Sequence, residues 1–333
     1  MTVTPDAALR WGTTYLQRCG IDTARLDAEV LLAHCLGCER TVLYRERGYE
    51  LSADERACFQ ELVARRGAHE PVAYLTGRRE FWSLPLAVRP GVLIPRPETE
   101  WVVETALRYA PRFCQQRSPC RVLDIGTGSG NIAIAVAASL EAVDVVAIDI
   151  SPDALTVAQI NARSCQVADR IRYIRGDLLS PLNPRRARFD LILSNPPYVA
   201  AGELPVLPAT VRCYEPFQAL DGGPDGLAFY RRLIAEGPQY LADDGIAIVE
   251  VGHRQAGDVS RLLVQSQQWE LLEVVKDYSG IERVVVAQRS QGGAARYGLH
   301  RDRRWGPASR ARPRERGEEC RPADHGQSVA DGG

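Results

Sequence analysis

The chain has 333 residues, 45% of them hydrophobic, and a formal net charge of −1, which allows two domains and a substantial core. Ten of its 41 basic residues but only six of its 42 acidic ones lie beyond Gln288, leaving 31 basic and 36 acidic residues, a net of −5, in Met1–Gln288. That balance argues against a broad nucleic-acid footprint, and Glu141 and Asp144 interrupt the most apolar stretch, Ile132–Ile150, which argues against a membrane span.

The N-terminal MTVTPDAALR lacks the basic-then-apolar order of a signal peptide. Met1 to about Pro71 reads as a small helical bundle without a catalytic cluster. TARLDAEVLLAHCLG places Leu26, Val30, Ala33 and Leu36 near one face of an amphipathic helix. LSADERACFQELVARRG opens on a capping box, Ser52 with Glu55, and buries Phe59, Leu62 and Val63. His34, Cys35 and Cys38 sit close together, but no second Cys/His pair at zinc-like spacing follows, and structural zinc needs four ligands. Helix packing, with no metal, is therefore expected. The nine cysteines are scattered, as suits reduced thiols in a cytosol.

Arg79–Glu100 alternates short apolar pieces with Pro and Gly, which predicts strands and a loop before a helix from about Glu98. From Arg121 the pattern is strand, glycine turn, helix, repeated. RVLDI, VDVVAIDI, IRYIRGD, RFDLILS and GIAIVEVG read as strands, and SPDALTVAQINAR as a helix with Ser151 at the N-cap and Pro152 at its first position. LLEVVKDYSGIERVVVAQ reads as two strands joined by a Ser-Gly turn. The alternation predicts an α/β fold with a mostly parallel sheet and helices on both faces. With no helix between the last two strands, that edge should be antiparallel. Beyond Gln288 apolar periodicity stops and Gly, Arg, Pro and Ser dominate, the composition of a disordered tail.

Ligands of such sheets bind at the carboxyl ends of strands. Gly126, Gly128 and Gly130 end the first parallel strand, and glycines allow positive φ and close backbone approach. Asp149 ends the second strand, where a carboxylate can accept both hydroxyls of a ribose. Asp177 ends the third, where it could accept an adenine amine. A dinucleotide enzyme shows a similar glycine loop, but the third acidic position suits an adenosine better than a pyrophosphate. Asn195, Pro196, Pro197 and Tyr198 end the fourth strand. Two prolines fix φ near −65° and remove two donors, so the Pro196 carbonyl and the Asn195 side-chain oxygen form two stiff acceptors beside the flat face of Tyr198. Such a slot fits a planar group bearing NH2. Gripping the N–H bonds aims a delocalised lone pair at an electrophilic methyl and stabilises the charge that develops, without a strong base.

LDIGTGSG, AIDIS, RGDLL and SNPPYV resemble the class I S-adenosylmethionine-dependent methyltransferases that modify planar amines. HEPVAYLTGRREF and PGVLIPRPETE narrow the resemblance to the HemK/PrmC-type protein-(glutamine-N5) methyltransferases acting on class-1 peptide chain release factors. The resemblance covers about Asp6–Gln288. It implies a Rossmann-like, seven-stranded, mostly parallel sheet behind a small helical domain, with S-adenosyl-L-methionine as cofactor and the glutamine of Gly-Gly-Gln as substrate. The implied partition is a recognition domain at 1–75, a hairpin and loop at 76–100, the catalytic domain at 101–288 and the tail at 289–333. By match, Gly126, Thr127, Gly128, Ser129 and Gly130 face the methionine part of the cofactor and Asp149 its ribose. Asn195, Pro196, Pro197 and Tyr198 face the glutamine, Asn195 standing on the cofactor side as well. Leu178 follows Asp177 where the family often has an aromatic residue, and aliphatic packing should replace stacking there. Ser83 stands where the family usually has Gly, so the turn could differ. Arg96, Glu98 and Thr99 shape the site. The alternatives are an adenine-N6 DNA methyltransferase using the same clamp on a flipped base, a glutamine methyltransferase of a large-subunit ribosomal protein, and a non-catalytic adaptor. A cytoplasmic monomer with no stable nucleic-acid or membrane partner is expected.

Overall fold

The computed structural model describes residues 3–45, 49–116 and 118–290. Apart from Arg289 and Ser290, the expected tail lies outside the described residues. Arg289 itself belongs to the last strand, so the boundary falls later than the composition suggested.

The N-terminal region folds as α1 (Pro5–Arg18), α2 (Ala24–Cys35), α3 (Ala53–Gly67) and the short α4 (Val72–Thr76), which extends the helical part past Pro71. The capping box is present: the Glu55 N–H donates to Ser52 Oγ at 3.2 Å and the Ser52 N–H to Glu55 Oε2 at 2.8 Å. Leu9, Leu16, Leu31, Leu32, Phe59 and Val63 make the bundle core, with Cys35 and Cys38 packed against it. The buried face of α2 agrees with the expected one at Ala33, which is buried, and at Leu36, which packs on the core, and differs toward the helix start. Leu26 is 45% exposed, while Ala24, Asp27, Ala28 and Leu31 face inward. The cause is Asp27, which accepts from Arg66 Nε of α3 at 2.7 Å and from the Thr23 hydroxyl at 2.9 Å. A buried charge stays inside when it is paired, and the small Ala24 and Ala28 beside it complete the inner stripe.

A hairpin follows, β1 (Arg78–Phe81) antiparallel to β2 (Leu84–Ala87). Its loop residues Trp82 and Ser83 have φ of +55° and +60°, the signs of a type I′ turn. Glycine is the residue best suited to that backbone, and here Ser83 adopts it. A single 3-10 turn, Pro97–Thr99, precedes α5 (Glu100–Cys114), two residues later than the expected start.

The remaining elements are β3 (Cys120–Ile125), α6 (Asn131–Ser139), β4 (Val143–Asp149), α7 (Pro152–Ser164), β5 (Ile171–Arg175), β6 (Phe189–Ser194), α8 (Ala209–Arg212), α9 (Ala228–Glu236), β7 (Leu241–Glu250), α10 (Ala256–Gln265), β8 (Trp269–Lys276) and β9 (Glu282–Arg289). They build a seven-stranded sheet of order β5-β4-β3-β6-β7-β9-β8. The first five strands in that order run parallel, and β9 is antiparallel to β7 and β8, as the missing crossover helix requires. Alternate side chains serve opposite faces. Val122, Val145, Leu191 and Ile248 pack with α5 and α6, whereas Leu123, Val146, Ile192 and Val249 pack with α9 and α10. The Ser151 cap holds as expected, accepting from the Ala154 N–H at 3.2 Å.

One side chain locks the hairpin to the glycine turn. Asn161 of α7, buried, accepts from the Ala87 N–H at 2.7 Å and donates to the carbonyls of Ala87 and Ser129 at 3.0 and 2.9 Å.

Candidate active site

Strand register aligns the site. Ile125 of β3 pairs with Ile148 of β4 and Ser194 of β6, and Ser194 pairs with Val249 of β7. Gly126, Asp149, Asn195 and Glu250 are therefore the next residues beyond one shared rung, at the carboxyl edge where α/β sheets bind ligands. The Ser194 hydroxyl donates to the Ile125 carbonyl at 2.8 Å and ties the middle of that edge together.

Gly126, Gly128 and Gly130 have φ of +71°, +56° and +83°. A Cβ on Gly126 or Gly128 would approach only the Asn195 carbonyl oxygen at 3.9 Å or the Gly126 carbonyl oxygen at 4.0 Å. It would fill an open cradle in front of the loop. Gly130 serves packing instead: its Cβ would stand 3.0 Å from Ala158 Cβ and 2.8 Å from Ile134 Cδ1. The side chains of Thr127 and Ser129 are buried in the protein, and the Thr127 hydroxyl donates to Asp124 Oδ2 at 2.6 Å. Only their backbone is offered to the cradle.

Asp149 accepts from the N–H groups of Gly128 at 2.8 Å and Ser151 at 2.9 Å, one on each oxygen. The Ile150 N–H bonds to it as well, and with about four acceptor positions on a carboxylate a position is left for a ribose hydroxyl. Asp177 follows the carboxyl end of its strand but is not the strand's last residue. It lies two residues beyond β5, and both its oxygens are held by Arg232 of α9 at 3.0 and 2.9 Å. Leu178, at φ +49°, joins the core on the α9 and α10 face.

The stretch from Asn195 to Tyr198 is braced from behind. Asn195 Nδ2 donates to Thr99 Oγ1 at 2.9 Å. Pro196 is buried and Pro197 half-buried, and among the described residues no N–H is bonded to the Pro196 carbonyl. Gln255 Nε2 donates to the Tyr198 carbonyl at 2.8 Å. Close contacts explain three glycines: a Cβ on Gly222 would lie 2.8 Å from Tyr198 Cα, on Gly226 2.4 Å from the Tyr198 carbonyl oxygen, and on Gly252 2.9 Å from Tyr198 Cδ2. Arg96 pairs with the buried Glu215, which also accepts from the Ile94 N–H at 3.2 Å, and Glu98 lies 3.8 Å from Arg283. Gln255, Glu215 and Glu250 escaped the sequence reading. Glu250 carried a usable signal, an acidic end on the apolar strand GIAIVE, the same pattern that singled out Asp149.

Two buried carboxyls stand out. Burial, aided by Asp149, pushes Asp124 up to about 7 against the hydrogen bonds from Thr127 and the Ala133 N–H. Burial and Glu98 push Glu250 up to about 7 against Thr99, Arg283 and Tyr198. Burial and Glu250 also raise the Tyr198 phenol, which stays protonated. Between the ordinary carboxylate range and pH 7 the folded chain binds more protons at Asp124 and Glu250 than the unfolded chain. Their contribution to stability is whole below about pH 4 and is lost as pH rises through about 7. Asp124→Asn should therefore gain in melting temperature relative to wild type between pH 5 and pH 8. A gap independent of pH in thermal unfolding would contradict that.

Residues 7–77 match the family model described as PrmC N-terminal domain, and residues 112–208 match the Methyltransferase small domain. The release factor glutamine methyltransferase of Rhodopirellula baltica is 42% identical over 282 residues, 85% of this chain and 95% of that protein. The chain belongs to the release factor glutamine methyltransferase family. The family's member from Geobacter sulfurreducens is 43% identical over 277 residues, 83% of this chain and 94% of that protein. A solved structure, the release factor-specific protein-(glutamine-N5) methyltransferase of Alicyclobacillus acidocaldarius subsp. acidocaldarius, is 33% identical and covers 61% of this chain and 99% of its own, with a TM-score of 0.38. The chain is a methyltransferase of the class I fold, with the family's helical region ahead of the sheet. Among the described residues no helix is long and apolar enough to cross a membrane.

Proposed function

We propose that this chain transfers a methyl group from S-adenosyl-L-methionine to the side-chain amide nitrogen, N5, of the glutamine in the Gly-Gly-Gln motif of class-1 peptide chain release factors. The observation that carries the reading is the pair of acceptors at Asn195 and Pro196, one residue along the carboxyl edge from a glycine cradle. The residues present fit the cofactor. The space before Gly126 and Gly128 is what a Cβ would fill, and Asp149 keeps acceptor capacity for a ribose hydroxyl.

When bound, the cofactor supplies a methyl group made electrophilic by a sulfonium. The chain's own residues do the rest. Asn195 Oδ1 and the Pro196 carbonyl accept the two N–H bonds of the carboxamide and turn its nitrogen lone pair toward the cradle. As the N–C bond forms and the bond from that methyl to sulfur breaks, the positive charge passes to the nitrogen, where the same two oxygens stabilise it until one N–H proton is released to water. Tyr198, protonated and braced by Gln255 and three glycines, offers a fixed planar wall. Orientation and fixed dipoles suffice, and no base stands in the clamp. Asp177 can still serve an adenine amine through acceptor positions that Arg232 leaves free.

A cytoplasmic monomer without a stable nucleic-acid partner completes the reading, in keeping with the net −5 of Met1–Gln288. Incubation of the purified chain with labelled cofactor and, separately, release factor, ribosomal large-subunit proteins and duplex DNA tests it. Peptide mapping should locate label on the Gly-Gly-Gln glutamine. Label on DNA or on a ribosomal protein alone would overturn the proposal.

A further inference from the structure

The side-chain amide of Asn195 can face the substrate with either end. Its oxygen outward accepts the substrate N–H; its NH2 outward would set donor against donor. Something must fix the choice, and two residues from two other elements, Thr99 and Glu250, stand behind it. Asn195 Nδ2 donates to Thr99 Oγ1 at 2.9 Å, and Thr99 is buried. The Thr99 hydroxyl acts on the Glu250 carboxyl as well, holding it lower against the rise that burial causes. Glu250 stands beside Asn195 at the end of the neighbouring strand, buried, with the Tyr198 phenol 3.5 Å from Oε1 and Oε2 without a partner among the described residues.

A hydroxyl has one proton and two lone pairs. With a carboxyl on its far side to take that proton, Thr99 presents only lone pairs to Asn195, and the amide must turn its NH2 inward. Without that acceptor the hydroxyl is free to rotate, donate to the Asn195 oxygen and hold the amide reversed. We propose that Glu250, acting through Thr99, is a positioning residue that fixes the direction of the Asn195 amide and so makes the clamp an acceptor. The inference rests on the reading of Asn195 as the group that grips the substrate amide. It gives the acidic end of β7 a task on the same edge as Asp149, and it explains why a carboxyl is buried where an apolar side chain would pack more easily.

Two pairs of variants test it, each with turnover on release factor, KM for release factor and calorimetric affinity for the cofactor. Thr99→Ser and Glu250→Gln keep a hydroxyl and an oxygen acceptor, and kcat should stay within about fivefold of wild type. Thr99→Val and Glu250→Met remove them, and kcat should fall about 10- to 100-fold, with cofactor affinity within about twofold. Cofactor binding reports the native fold, so a variant that misfolds is set aside and the other pair decides. Members of a pair behaving alike would overturn the inference, since packing alone would then account for both residues. Asn195→Ala in the same assay separates the levels. If it is inactive while Thr99→Val turns over normally, only the positioning role fails. If Asn195→Ala turns over normally, the clamp reading itself fails.

Discussion

Asn195→Ala should lower methyl transfer by at least about a hundredfold while leaving affinity for S-adenosyl-L-methionine close to wild type. The carboxamide of the substrate is a poor nucleophile because its lone pair is delocalised, so the aim of that pair governs the rate. Alanine removes one of the two oxygens that grip the N–H bonds and leaves Thr99 Oγ1 without its donor. A single directed contact of this kind is worth roughly 3 kcal/mol in the transition state. The glycine cradle and Asp149 lie on neighbouring strands and keep their own hydrogen bonds, which is why binding should survive. Single-turnover transfer beside cofactor calorimetry separates the two quantities. Near-normal turnover would remove Asn195 from the mechanism.

Asp149→Ala should act in the opposite sense, weakening the cofactor by roughly 30- to 300-fold, with much of the rate recovered at saturating concentration. Its carboxylate does two things at once. It holds the Gly128 N–H, which fixes the loop at φ +56°, and the Ser151 N–H at the start of α7. It also keeps acceptor capacity toward the cradle, and hydrogen bonds to a charged group contribute about 1.5–3 kcal/mol each. An unchanged dissociation constant would contradict the ribose assignment.

What could be seen in the sequence was local and periodic. Strands such as RFDLILS and VDVVAID carry apolar residues on both faces, because both faces of a parallel sheet are covered, and they fall where expected. The antiparallel edge followed from the missing helix between β8 and β9. Much of what local reading missed depends on a partner distant in the chain. Asp27 turned the inner stripe of α2 away from Leu26 because Arg66, 39 residues on, neutralises it. The pairing of Asp177 with Arg232 of a later helix is equally out of reach of local reading. Thr127 and Ser129 stand between the glycines with their side chains turned inward, Thr127 to Asp124 three residues before it, which leaves their backbone toward the cradle. Glu250 and Gln255 lie more than fifty residues beyond the clamp they brace, and only strand register brings them beside it. Ser83 shows the converse: a local sequence departure, with the backbone held to its turn by the hairpin around it.

In the proposed mechanism two fixed oxygens just beyond the end of β6 at Ser194 hold a glutamine amide toward the glycine cradle. A crystal structure of the chain with the demethylated cofactor and a Gly-Gly-Gln peptide tests it most directly. The account requires the glutamine nitrogen within hydrogen-bonding distance of both Asn195 Oδ1 and the Pro196 carbonyl, with its open face toward the cofactor sulfur. A glutamine amide gripped by other residues, or an Asn195 turned with its NH2 toward the substrate, would contradict it.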